Sequence, residues 1–296
     1  MEQAFGSRSA HGPVRSGHAS AMSLTVARGP LGRDPAGRFN FTAKPPTGAV
    51  LLWDPVPHRV RAFLGGEAVV DSTHAKLLHE TGHLPVYYFP EADLRQDLLE
   101  PSERTTHCPH KGEASYRTIR AGGRVAENAV WAYRDPLGPA FFLAAHAALY
   151  WDRVDAWFVE DEQVFGHPRD PYHRIDVYRT TRRIRVSLNG EELADSVRAK
   201  LLDETGLPPR FYLPAEDVRM ELLEPSPTHT RCAYKGLASY WHVRVGGELH
   251  DDLAWTYPEP IGDGRDVGEL ICFFQERSDL EIDGVPQERP RTQWSR

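Results

Sequence analysis

Thr106-His-Cys-Pro-His-Lys-Gly-Glu-Ala-Ser-Tyr116 is written twice in this chain. Its skeleton returns 124 residues later as Thr230-Arg-Cys-Ala-Tyr-Lys-Gly-Leu-Ala-Ser-Tyr240. Thr, Cys, Lys, Gly, Ala, Ser and Tyr keep their places while the positions between them vary. At the same offset, Arg59–Pro136 and Arg183–Pro260 align without a gap at 37 identities in 78 positions. The chain is therefore a tandem repeat, and each copy is a control for the other. A residue retained in both copies has a reason that the fold or a shared site must supply.

Working outward, period-2 alternation and turn residues predict strands and hairpins. Arg59–Leu64 alternates, Gly65-Gly66 supplies a tight turn and Glu67–Asp71 returns. The second copy reads Arg183–Leu188, Asn189-Gly190, Glu191–Asp195, and Asn-Gly is a strong short hairpin signal. Ala75–Leu78 and Ala199–Leu202 read as one helical turn or an irregular strand. Val86–Pro90 and Arg210–Pro214 are aromatic strands stopped by proline. The acidic segments behind those prolines suit the first turn of a short helix. Ser115–Arg120 and Ser239–Arg244 alternate again, with hairpin turns at Gly122-Gly123 and Gly246-Gly247. Phe141–Trp151 leans helical, and the glycine run Gly262–Gly268 weakens its counterpart. That run has the wrong spacing for a dinucleotide loop.

The expected layout is a tail over residues 1–46, a first repeat domain over 47–165, a linker over 166–181, a second repeat domain over 182–285 and a disordered tail over 286–296. Residues 1–46 lack the apolar centre of a signal peptide, and Met22 is an alternative start. The 296 residues are 40% hydrophobic and 26% charged, as in ordinary globular proteins. A net charge of −7 without a Lys/Arg-dense face excludes a general nucleic-acid backbone binder. No apolar run approaches the roughly 20 residues of a membrane span. A cytoplasmic location and three free thiols are expected, with the two repeats packing on each other.

The repeats resemble a bacterial family known as domain of unknown function 427. The resemblance rests on the Gly-Gly or Asn-Gly hairpin, Glu-Thr-Gly, Leu-Leu-Glu-Pro-Ser, Cys-x-x-Lys-Gly-x-Ala-Ser-Tyr and Trp-x-Tyr, over roughly 56–160 and 180–284. It implies a mainly β protein of two tandem β-tent-like domains, antiparallel sheets with few short helices. Relatives of that fold hold structural zinc in paired Cys-x-x-Cys knuckles, which this chain lacks. A nucleotidyltransferase-like label has been attached to the family, but the chain has no glycine-serine nucleotide motif with paired metal-binding aspartates.

Candidate site residues follow from what both copies keep. Cys108 and Cys232, each three residues before a lysine, are candidate nucleophiles, because a neighbouring ammonium favours thiolate. Tyr116, Trp131 and Tyr133, with Tyr240, Trp255 and Tyr257, are either core or the lining of an apolar pocket with polar tips. Lys111, Lys235, Glu80, Glu204, Arg95 and Arg219 are candidate ligand anchors and bases, or plain ion pairs. His107 and His110 have no counterparts in the second copy, so no shared metal site and no cofactor are expected. The favoured function is small-molecule binding in a pocket between the sheets of each repeat. A cysteine-dependent hydrolase or transferase and a protein-interaction scaffold stand as alternatives.

Overall fold

The computed structural model of the protein describes Asn40, residues 49–292, Trp294 and Ser295. Apart from Asn40, the expected N-terminal tail lies outside the described residues, as does Met22. Two compact units emerge: described residues through 176 with 203–209, and 177–202 with 210 onwards.

The first copy contains β1 (Leu51–Pro55), β2 (Val60–Leu64), β3 (Glu67–Ser72), β4 (Lys76–Glu80), β5 (Val86–Pro90), β6 (Leu99–Cys108), β7 (Gly112–Ala121), β8 (Arg124–Ala132), β9 (His146–Leu149), β10 (Ala156–Val159) and β11 (Glu162–Val164). They form a seven-stranded sheet, β1-β4-β5-β9-β8-β7-β6, and a four-stranded sheet, β11-β10-β2-β3. The second copy repeats this with β12 (Ile175–Arg179), β13 (Ile184–Leu188), β14 (Glu191–Ser196), β15 (Lys200–Glu204), β16 (Arg210–Leu213), β17 (Leu223–Cys232), β18 (Gly236–Val245), β19 (Glu248–Thr256), β20 (Ile271–Phe273), β21 (Asp279–Ile282) and β22 (Val285–Pro286). Its sheets run β12-β15-β16-β20-β19-β18-β17 and β14-β13-β21-β22. Neighbouring strands in all four sheets pair antiparallel, so the protein is mainly β in two tandem halves, as expected.

The main core of the first copy joins Val60, Ala62 and Leu64 of β2, Val69 and Val70 of β3 and Trp157 of β10 to Leu77, Tyr87, Phe89, Ile119, Ala147 and Leu149 of the large sheet. It fills the space between the sheets. Strand side chains alternate in direction, so Leu78, Tyr88 and Ala148, next to Leu77, Tyr87 and Ala147, point to the other face. There they meet Ala114, Tyr116 and Tyr133 in a second cluster. The central strands are buried on both faces, which explains why Val86–Phe89 reads as a continuous apolar run rather than an alternating one.

Several expectations need correction. Residues 76–80 and 200–204 are plain strands. Glu91–Asp93 and Ala215–Asp217 make single 3-10 turns, not α-helical ones. The chain is tied down immediately afterwards, because Leu94 bridges Val70 and the Arg95 N–H donates to the Val69 carbonyl at 2.9 Å. Phe141–Trp151 does not form a helix. It contributes to a 3-10 segment (Gly138–Leu143), then β9, then a further 3-10 turn at Trp151–Arg153, with Ala145 at φ 59° breaking the course. The second repeat starts before residue 182, because Ile175–Arg179 is its outermost strand and corresponds to β1. Of the C-terminal tail, residues 286–292, Trp294 and Ser295 are ordered on the fold: the Gln287 N–H donates to the Leu280 carbonyl at 2.8 Å, and Arg289 pairs with Asp279 at 2.7 Å. Gly65 and Gly122, at two hairpin tips of the first copy, touch so closely that a Cβ on Gly122 would lie 1.9 Å from the Gly65 carbonyl oxygen. Their counterparts Asn189 and Gly246 escape this: Asn189 tolerates a side chain at φ 51°, and a Cβ on Gly246 would meet nothing within 4 Å.

Candidate functional site

The repeated stretch forms the end of one long strand, a turn and the start of the next. Cys108 ends β6, Lys111 sits in the turn and Gly112 opens β7 at φ 100°. A residue with a Cβ is strained there, which explains the retained Lys-Gly pair. Register then aligns the rings. Tyr88 faces Ala148, Ala148 faces Trp131 and Trp131 faces Tyr116 across four adjacent strands. The second copy has the same row as Tyr212, Cys272, Trp255 and Tyr240.

Lys111 is buried and its ammonium is bound to the buried Glu80 carboxylate at the end of β4. It also lies 5.7 Å from the centroid of the Tyr133 ring. The Trp131 indole N–H donates to the Tyr88 hydroxyl at 3.2 Å, and the Tyr116 hydroxyl shares a hydrogen bond with Thr106 at 2.9 Å. The second copy repeats both, with Trp255 to Tyr212 at 3.1 Å and Tyr240 with Thr230 at 2.7 Å. Burial raises the pKa of Tyr88 and Tyr133, and the nearby Cys108 and Glu80 push Tyr133 further. Burial likewise raises Tyr212, which feels the charge of Lys235 and the presence of Tyr257 and Cys272. These hydroxyls therefore stay protonated at neutral pH and do not act as bases.

The structure thus brings together Glu80, Lys111, Tyr116, Trp131, Tyr133 and Cys108, and in the second copy Lys235, Tyr240, Trp255 and Tyr257 about Tyr212. The location differs from expectation. The set lies on the outer face of the large sheet, away from the small sheet, because the space between the sheets is filled by core. In the first copy Trp53, Phe142 and Tyr150 border it; Trp53 stands 5.4 Å from Tyr88 and 5.2 Å from Phe142 between centroids. The counterpart of Ala140 is Gly264, whose absent Cβ would lie 2.8 Å from the Lys235 Cα. The second copy's glycine run therefore serves close packing over the lysine.

Arg95 and Arg219 are not part of this set. Arg95 is exposed and pairs with Asp97 at 2.6 Å and with Glu67; Arg219 pairs with Glu221 at 2.8 Å and with Glu191. Both stay with the edge of the small sheet because the segment after Pro90 or Pro214 is bound to β3 or β14. Glu204, at the end of β15, lies 3.0 Å from His173 Nε2. Around the candidate nucleophiles, Tyr133 lies close to Cys108, and the Tyr234 N–H donates to the Cys232 sulfur at 3.5 Å. The nearby histidines turn elsewhere. His107 pairs with Glu113 at 2.6 Å, His229 with Ser239 at 3.3 Å and His242 with Asp251 at 3.2 Å, while His110 is exposed. Among the described residues no group of three His, Cys, Asp or Glu side chains has the arrangement of a metal site.

Comparison of the copies overlooks residues that only one copy has. Cys272 occupies the centre of the second ring row, where Ala148 stands in the first; burial raises its thiol well above the usual range. His79, which is Asp203 in the second copy, is buried with neither ring nitrogen hydrogen-bonded. Its Nε2 lies 3.7 Å from Asp54 and its Nδ1 3.8 Å from the buried Asp170. Burial lowers the His79 pKa and raises that of Asp170.

A neutral imidazole follows, and with it a pH dependence. Unfolded His79 takes up a proton near 6.5, whereas the folded form resists until lower pH. The folded state is therefore fully favoured above pH 6.5 and loses stability as pH falls, by about 1.4 kcal/mol per pH unit at most for this group. Asp170 acts in the opposite sense at lower pH, above 3.8, where the native form protonates first. Urea denaturation between pH 7.5 and 5.5 is expected to show this acid loss in the wild type and a shallower one in His79→Leu.

No helix among the described residues is long and apolar enough to cross a membrane. No curated protein matches the chain. The sequence profile of the family described as Domain of unknown function (DUF427) matches residues 53–160 and again 176–284. These spans contain most of both sheets of each copy and every residue of both ring rows, so the chain belongs to that family and carries its domain twice.

Proposed function

We propose that each repeat is a small-molecule binding module whose site is the ring-lined outer face of its large sheet. The carrying observation is that the residues kept by both copies converge there: a lysine, two hydroxyl–indole or hydroxyl–hydroxyl pairs and a set of rings. Apolar walls with a few convergent polar groups suit an organic metabolite. In the first copy Glu80 already neutralises Lys111, so the fitting ligand has a polar, uncharged or zwitterionic end at this pair and an apolar body toward Trp53 and Phe142. A thiol enzyme is less well supported, because its base would have to be a histidine, and His107 in the first copy and His229 and His242 in the second pair with other groups. A cytoplasmic setting suits three free cysteines.

The test is a thermal-shift screen of metabolites on the wild type and on Glu80→Gln/Lys111→Met, which removes both charges together. A ligand at 100 times its Kd contributes about 2.7 kcal/mol through mass action. The expected result is a compound that raises the wild-type melting temperature and does so less in the double variant, whose first-repeat site is altered. Failure of every compound, or an undiminished shift in the variant, overturns the reading.

A further inference from the structure

In the second repeat, one stretch of the ring face has no parallel in the first. Arg210 replaces Val86, Phe274 replaces Tyr150 and Glu276 replaces Asp152. The Arg210 guanidinium makes two hydrogen bonds to Glu276, at 2.8 and 2.6 Å, and is buried with it. Its Cζ lies 5.7 Å from the Trp255 ring, 5.9 Å from Phe274 and 5.6 Å from Trp294. Trp294 also packs on Phe274 at 6.0 Å between centroids. Behind it, the Thr292 hydroxyl donates to Glu276 at 2.6 Å and accepts the backbone N–H of Trp294 at 3.1 Å.

We propose that Arg210, Phe274 and Trp255 form a binding site for a planar aromatic group, and that the indole of Trp294 fills it from within the chain. A guanidinium within about 6 Å of ring centroids favours aromatic faces by cation–π attraction. Glu276 holds the guanidinium plane in place whether or not Trp294 is present, so the site is built before it is filled. The occupying residue lies outside the family match, which ends at 284. The domain therefore supplies the cage, and the appended segment supplies the ring. Trp294 competes through its tethering, equivalent to a local concentration in the millimolar range. A free aromatic compound of indole size is then the chemical class that displaces it. In the first copy Val86 stands where Arg210 does and Tyr150 where Phe274 does.

This inference rests on the ring face being a binding surface, but its test does not involve the lysine pair, so either reading can fail alone. Full-length wild type, Trp294→Ala and Trp294→Phe are titrated with indole while the Arg210 side-chain N–H resonance is followed by NMR. In the apo proteins, Trp294→Ala is expected to remove a ring-current shift that Trp294→Phe retains in part. Indole is expected to restore the shift in Trp294→Ala with at least tenfold tighter apparent affinity than in the wild type. An Arg210 resonance unchanged by Trp294→Ala, or equal indole affinity in all three proteins, overturns the proposal.

Discussion

Arg210→Ala is expected to destabilise the second repeat by about 3–5 kcal/mol, the range found when one partner of a buried ion pair is removed. Both side chains are almost wholly out of water, at 5% and 0% exposure. Burial by itself would lower the pKa of Arg210 and raise that of Glu276. The mutual hydrogen bonds and charge reverse both, leaving arginine above and glutamate below their ordinary values. Truncating the arginine leaves Glu276 with hydrogen bonds from Thr292 and backbone and with the charge of the neighbouring Arg277. For a domain of about 100 residues each lost kcal/mol lowers the melting temperature by roughly 4–8 °C, so calorimetry resolves the effect easily. Arg210→Met/Glu276→Leu is expected to regain most of the loss, because no uncompensated charge remains. If Arg210→Ala melts within about 1 kcal/mol of the wild type, the pair is not the closed, dry contact described above.

Lys111→Ala is the second large effect, again about 3–5 kcal/mol, this time in the first repeat. Side-chain exposures of 10% and 9% for Lys111 and Glu80 leave the carboxylate little access to water once the ammonium is gone. The substitution also removes the cation over Tyr133. Glu80→Gln/Lys111→Met, which withdraws both charges and keeps the volumes, is expected to stay within about 1 kcal/mol of the wild type. Urea midpoints of the single and double variants check this. A single variant as stable as the double would show that the pair is solvated. The comparison bears on function too, because loss of a ligand in Lys111→Ala alone would mix unfolding with binding.

Much of the architecture was legible in the chain itself, for identifiable reasons. Hairpin turns at Gly65-Gly66, Asn189-Gly190, Gly122-Gly123 and Gly246-Gly247 are set by local backbone chemistry, which neighbouring residues reveal. What escaped was set by distant contacts. The 3-10 turns after Pro90 and Pro214 stop short because the backbone is captured by β3 or β14, a fact with no local signature. Phe141–Trp151 has helical composition, but Pro139 lies in its 3-10 entry and Ala145 turns left-handed before β9. Retention between copies found the lysines, thiols and rings, yet it also admitted Arg95 and Arg219, retained for surface ion pairs. The same filter discarded His79, Arg210, Cys272 and Trp294, each present once. A signal for Arg210 was there: it stands two residues before Tyr212 on one strand, so period-2 alternation puts both on the ring face.

The order of the large sheets leaves the ten-residue strands Leu99–Cys108 and Leu223–Cys232 outermost, each paired on one side only. Such rims invite a second molecule to add its own strand and grow into fibres. Pro101, Pro225 and Pro227 withhold N–H donors there, the pairing slips in register near these prolines, and Glu100, Glu103 and Arg104 charge the first rim. Stacking of copies edge to edge is thereby obstructed at the strands that bear the repeated motif, and replacing these prolines by valine is expected to make the chain prone to polymerise through them.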